Sequence, residues 1–143
     1  MQTFLPYPDF TKNAQCLDNK RLGKQRVECL QILKALSDPF YGWQNHPAVK
    51  MWRGYEGALC WYGYSICIEW VNRGFNDTCS GKMQIIDKAQ FFNNPADNKP
   101  KFIGNYSFHA SHRSNLLRKD PVHYGQFGWT EPHDLPYVWP TKM

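Results

Sequence analysis

From Pro47 to Gly74 the apolar residues Ala48, Trp52, Tyr55, Leu59, Tyr62, Ile66 and Trp70 recur at spacings of four and three. That is the period of one face of an α-helix, and a chain that keeps it over more than twenty residues is committed to helix there. Asn45 or His46 supplies an N-cap, and Pro47 falls in the first turn, where a missing N–H costs nothing. Gly74 can close the far end in the left-handed conformation. Apolar side chains surround most of the axis, so the spacing predicts one long, central and largely buried helix.

The rest of the chain supplies shorter helices and no strand pattern. Leu22, Cys29, Leu33 and Leu36 form a stripe at steps of seven, four and three, which predicts a helix from Asn19 to about Leu36 with Asp18 as its N-cap. Further short helices are expected from Thr11, over Lys82 to Gln90, and over Ser111 to Arg118. Pro6 and Pro8 keep the opening segment extended. Ser37 to Asn45 and the Asn- and Pro-rich stretch Asn93 to Pro100 read as loops. From Pro121 the sequence is aromatic, interrupted by proline and without period, so a mobile tail wrapping the surface is expected. At 143 residues, with no linker or repeat, the expectation is a single all-α domain around a long central helix, with an irregular aromatic C-terminal tail.

Compartment and partner follow from what is missing and from charge. The longest uncharged apolar-rich run, Gly57 to Ile68, is short of the roughly 20 residues a bilayer requires. The start MQTFLPYPDF has no basic stretch leading into an apolar run. A cytoplasmic protein with no membrane association is expected. Cys16, Cys29, Cys60, Cys67 and Cys79 are odd in number and lack CxxC spacing, and they read as reduced, buried side chains. A net charge of +5 with 16% aromatic residues admits two readings. One is an ordinary basic domain with a large aromatic core; the other is a nucleic-acid binder, with cations for phosphates and rings for bases.

The candidate chemistry lies on the helix beginning at Asn19. Arg21 and Glu28 project within about 20° of each other, with Lys24 close by. Lys24 and Glu28 read either as an i,i+4 ion pair or as an active-site carboxylate among cations. Arg26 falls on the apolar stripe, so its guanidinium must snorkel or find a partner at the core's rim. His46 reads as a cap or loop residue. His109 and His112 have ligand-like spacing, but no third ligand is placed beside them, so no metal is expected.

Leu17-Asp18, Leu22 and Glu28, then Asn45-His46-Pro47, then Asn72-Arg73-Gly74-Phe75-Asn76 at a helix end, then Tyr106-x-x-His109-Ala110-Ser111 and Arg118, form an ordered series across most of the chain. The series resembles the pyrimidine-dimer DNA glycosylase family of the phage endonuclease V type. The resemblance implies a compact all-α enzyme that cuts the glycosidic bond of the 5′ pyrimidine of a cyclobutane dimer, using an amine nucleophile, and then cleaves the abasic site through the imine. It puts the catalytic glutamate at Glu28 and the helical arginine near the tail at Arg118. The arginine that precedes the family's glutamate is Val27 here, which leaves Arg21 or Arg26 to take that role.

The chemistry of the residues agrees, since a carboxylate can stabilise an oxocarbenium-like sugar and a neutral amine can trap C1′. The expected set is Glu28 and Met1 for catalysis, with Arg21, Lys24, Arg26, His46, Arg118 and Trp129 for DNA. Tyr137 and Trp139 are further aromatic candidates, and packing over the core is the competing reading for all three tail rings. The expected partner is damaged double-stranded DNA, with no cofactor, no obligate protein partner and a monomeric state. An inactive DNA-binding protein on the same scaffold and a glycosylase for a modified base are the alternatives.

In the phage type the attacking amine is exposed when the initiator Met is removed, which requires a small second residue; Gln2 is not small. The α-amine of Met1 and the side chains of Lys24 and Lys20 are the remaining choices. An ordinary α-amine is about a tenth neutral at pH 7, over a hundredfold more than an ordinary lysine. Met1 is favoured if the extended Gln2 to Pro8 segment lies against the helix beside Glu28.

Overall fold

The long helix expected from Pro47 to Gly74 is divided in two. In the computed structural model, which describes residues 1–87 and 99–142, Pro47–Trp52 is one helix (α3) and Glu56–Asn72 another (α4). Between them Arg53 turns to an extended ψ of 126° and Gly54 takes φ +87°, a conformation that a side chain resists. The Glu56 carboxylate accepts the freed Gly54 N–H at 3.1 Å. The apolar period runs through this corner undisturbed because both helices turn the same core-facing stripe inward. Gly74, at φ +94°, closes α4 as expected. Trp61, Ile68 and Val71 are exposed, so α4 is central but not buried all round.

The other elements are α1 (Phe10–Cys16), α2 (Asn19–Ser37), α5 (Cys79–Asp87), α6 (Tyr106–Lys119) and α7 (Pro121–Tyr124), with 3-10 turns at Gly125–Phe127 and Pro140–Lys142. No strand occurs among the described residues; the fold is all-α. Residues 88–90 of the expected helix and 93–98 of the expected loop lie outside the described residues. Asp18 caps α2 by accepting the Arg21 N–H, as its position predicts. Leu22, Cys29, Ile32 and Leu33 of α2 pack with Leu59, Tyr62 and Ile66 of α4 in one apolar cluster. Phe10, Trp52, Phe102 and Phe108 extend it through a chain of edge-on and tilted ring contacts. All five cysteines are unpaired and buried.

Two segments without regular structure are held more firmly than their sequences indicate. The N-terminal segment is threaded through the core by side chains. Gln25 on α2 accepts the Phe4 N–H at 2.8 Å and donates to the Gln2 carbonyl at 2.7 Å. Trp52 Nε1 reaches Thr3 Oγ1 at 3.0 Å, and the Tyr62 hydroxyl donates to the Phe4 carbonyl. From α6, His112 Nδ1 accepts the Leu5 N–H at 3.0 Å, and Arg113 donates to the Pro6 carbonyl at 2.8 Å. His109 uses both ring nitrogens on backbone, Nε2 accepting from Gly104 and Nδ1 donating to Leu5. The His-x-x-His pair is therefore a clamp for this segment.

The C-terminal tail is likewise pinned, which corrects the expectation of a mobile one. Ser111, Ser114 and Asn115 of α6 hydrogen-bond to the backbone of Val138, Pro132 and Leu135. Small polar side chains on a buried helix face satisfy a strapping segment that has no secondary structure of its own.

The clamp predicts acid lability. Burial pushes the His112 imidazole down to about 3, so it stays neutral in the fold while the unfolded chain protonates it near 6.5. The unfolded state then binds the extra proton, and stability falls as pH drops from 6.5 toward 3. At pH 5 the loss from this group is about 2 kcal/mol relative to pH 7, read as a lower urea midpoint. His112→Gln is expected to flatten that dependence, and an unchanged slope would reject the assignment.

Candidate active site

Where the N-terminal segment crosses α2, the two enclose a cleft of about 390 Å³ with the tail as its third wall. Glu28 lies in it, its side chain only 12% exposed. One oxygen, Oε2, accepts the backbone N–H of Gln2 at 3.0 Å; the other, Oε1, faces the Lys24 ammonium at 3.7 Å. Met1 lines the cleft beside them. The lysine is 76% exposed, so the pair by itself contributes little to stability. A mostly buried carboxylate held by a strap of backbone, with one oxygen toward a solvent-facing cation, is poorly explained as a stabilising device.

Cations gather at the rim. Lys20, Arg21, Lys24 and Lys119 line the cleft. Burial lowers the Lys119 ammonium pKa, and Arg21, Arg118 and Lys24 lower it further; that mutual repulsion is what an anion would relieve. Arg21 is also tied to the Asp18 cap at 3.1 Å. Arg118 donates to Asn115 and lies just outside the lining. Tyr137 and Trp139, in ring contact at 5.9 Å, close the tail side. Burial pushes the Tyr137 hydroxyl up to about 12, against Arg118 and Arg21, so it stays a neutral donor.

His46 caps α3, Nδ1 accepting the Ala48 N–H at 3.0 Å, which leaves the proton on Nε2 in the neutral ring. Its ring meets Trp139 at 6.1 Å. Burial holds its pKa below the usual imidazole range, the positive N-terminus adds to this, and Glu28 opposes it. His46 thus stands at the edge of the cleft as a neutral N–H donor, electrostatically coupled to both the terminus and the carboxylate.

Two expected residues are elsewhere. Arg26 meets Asp77 at 2.6 Å and lies over the Trp70 ring at 4.6 Å; the partner that its place on the stripe demanded is Asp77, and it faces no open phosphate site. Trp129 stacks on Tyr124 at 5.7 Å and donates to the Tyr7 hydroxyl, so its ring serves packing. A larger cavity, about 600 Å³, runs along α1, α4 and α5, but its acidic residues Glu69 and Asp77 are already paired with Arg73 and Arg26. Gln25 and Lys119 join the cleft without being among the expected residues. Gln25 had a readable signal, a carboxamide on the apolar stripe between Leu22 and Cys29; Lys119 had none, since only the return of α6 brings it to the cleft.

A family model described as pyrimidine dimer DNA glycosylase matches residues 1–83, more than half the chain. The chain belongs to that family. No curated protein and no solved structure matches. The matched stretch carries Met1, Arg21, Lys24, Glu28 and His46, so the strap, α2 and the α3 cap lie within the family's own region. DNA is accordingly the substrate class of this glycosylase. The wall made by Lys119, Tyr137 and Trp139 lies beyond the match. No helix among the described residues is long and apolar enough to cross a membrane.

Proposed function

We propose that the protein excises cyclobutane pyrimidine dimers from duplex DNA and then cleaves the abasic site through an imine. The observation that carries this reading is the buried Glu28 carboxylate in contact with the N-terminal segment, inside a cleft rimmed by cations and lined by Met1. The neutral α-amine of Met1 attacks C1′ of the 5′ pyrimidine's sugar. The C1′–N bond breaks, its electron pair leaves with the base, and the negative charge of Glu28 stabilises the oxocarbenium-like sugar. The amine then gives up a proton, O4′ takes one as the ring opens, and a protonated imine links nitrogen to C1′. Loss of the C2′ proton expels the 3′ phosphate by β-elimination, and hydrolysis of the imine releases the enzyme. Arg21, Lys24, Lys119 and Arg118 bind phosphates, His46 and Tyr137 donate hydrogen bonds, and Trp139 offers a ring to a displaced base. The protein acts as a monomer without a cofactor, in the cytoplasm.

The test is borohydride trapping on irradiated duplex. A covalent adduct supports the imine, whereas an inactive binder leaves none. Cleavage of modified-base duplexes with no action on irradiated DNA would instead favour the modified-base reading.

Binding is expected to weaken steeply with salt. Alanine at Arg21, Lys24 or Arg118 is expected to lower the logarithmic salt slope by about one each. Arg26→Ala, having Asp77 as its partner, is expected to lower thermal stability and leave the slope unchanged. A flat salt dependence in the parent protein would reject phosphate binding by this rim.

A second reading of the nucleophile rests on one contact. It is the nitrogen of Gln2 that Glu28 holds at 3.0 Å; were Met1 removed, the new α-amine would already touch the carboxylate.

A further inference from the structure

The loop between α2 and α3 presents two large aromatic side chains to solvent, Phe40 at 95% exposure and Trp43 at 56%. Trp43 has φ +70°, the sole non-glycine residue with positive φ among those described. A bulky side chain in that region is strained, and such strain persists where surrounding contacts enforce it. Here they do. Gln44 Nε2 reaches the carbonyls of Ala35, Asp38 and Tyr41 at 2.7–2.9 Å, and the His46 N–H bonds back to the Trp43 carbonyl at 3.0 Å. Asp38 accepts the Phe40 N–H at 2.9 Å. The loop is therefore built to hold an aromatic residue outward in a backbone conformation that favours glycine.

Its position gives that expense a use. Trp43 meets His46 edge-on at 5.7 Å, and His46 meets Trp139 at 6.1 Å; Trp139 lines the Glu28 cleft. An unbroken line of rings thus runs from the exposed loop to the candidate active site. A base stacked in a duplex cannot reach Glu28, and enzymes that act on such bases fill the vacated stack with an apolar or aromatic side chain.

We propose that Trp43, supported by Phe40, is a wedge that enters the duplex beside the lesion and holds it open. The occupant of this surface is double-stranded DNA, continuous with the DNA held by the cationic rim. The inference rests on the glycosylase reading above and deepens it by adding a positioning residue that touches no reacting atom. A rigid loop suits the task, because a wedge ordered in advance loses little conformational freedom on binding.

Trp43→Gly separates this role from a structural one. Glycine relieves the left-handed backbone, so the melting temperature is expected to hold or rise, while cleavage of a dimer in duplex DNA falls about tenfold, the scale of one lost base–aromatic stack. Trp43→Ala is expected to show the same loss. On a single-stranded oligonucleotide carrying the dimer, both variants are expected to match the parent, since no stack has to be opened. With 2-aminopurine opposite the lesion, binding of Glu28→Gln protein is expected to raise fluorescence, and Trp43→Gly in that background to abolish the rise. Parent-like duplex cleavage by both variants, equal losses on single and double strands, or an undiminished 2-aminopurine signal would each overturn the wedge. If the parent cuts no irradiated DNA while the signal still depends on Trp43, the wedge stands and the excision reading falls.

Discussion

Glu28→Gln is expected to abolish strand cleavage, with a loss of about a thousandfold or more, while the melting temperature and binding to damaged DNA change little. The structure says why the two effects separate. A glutamine keeps an oxygen to accept the Gln2 N–H, and the pairing it forfeits is to a lysine mostly in water. The carboxylate's charge, in contrast, has no substitute within the cleft, whose other charged groups are Lys20, Arg21, Lys24, Lys119 and the terminal amine. An oxocarbenium-like sugar surrounded only by cations is strongly disfavoured. Nicking of irradiated plasmid, with melting in parallel, checks this. Retained nicking would remove Glu28 from catalysis, and a large fall in melting temperature would show that the carboxylate serves the fold instead.

Blocking the terminal amine is expected to be equally severe. A chain acetylated at the Met1 nitrogen should give no borohydride-trapped adduct and no cleavage, whereas Lys20→Ala and Lys24→Ala should still trap. The strap is held by Gln25 of α2, Trp52 of α3, Tyr62 of α4 and His112 of α6, and this places Met1 in the lining of the Glu28 cleft. Lys24 stands 3.7 Å from Glu28 in the same cleft, so the larger neutral fraction of an ordinary α-amine at pH 7, rather than proximity, is what favours Met1. Peptide mapping of the adduct decides between amines. An adduct on Met1 supports the proposal, one on Gln2 with Met1 absent supports the second reading, and one on Lys20 or Lys24 overturns both.

Variants of the strap contacts are expected to couple folding to activity. Gln25 joins the Gln2 carbonyl, the Phe4 N–H and the Tyr62 hydroxyl, so its loss leaves several buried polar groups unpaired at once.

What the residues by themselves determined are features written in local spacing. The period of three and four made helices of α2 and α4, because burying a stripe on one face needs only neighbours within a few turns. Asp18, Pro47 and Gly74 marked ends through backbone rules that act within four residues. Glu28, Arg21 and Lys24 shared a helix face for the same reason, and Arg26 on the stripe announced a partner without naming it. Tertiary structure decided everything that depends on chain return. The corner at Gly54 is invisible to the apolar period because both helices share one core. Asp77 met Arg26 across 51 residues, and His112 met Leu5 across 107. Lys119, Tyr137 and Trp139 reached Glu28, while Trp129 did not, because Ser111, Ser114 and Asn115 set where the tail crosses α6. Such pairings are selected by the summed burial of the whole core, a quantity that no short window of sequence contains.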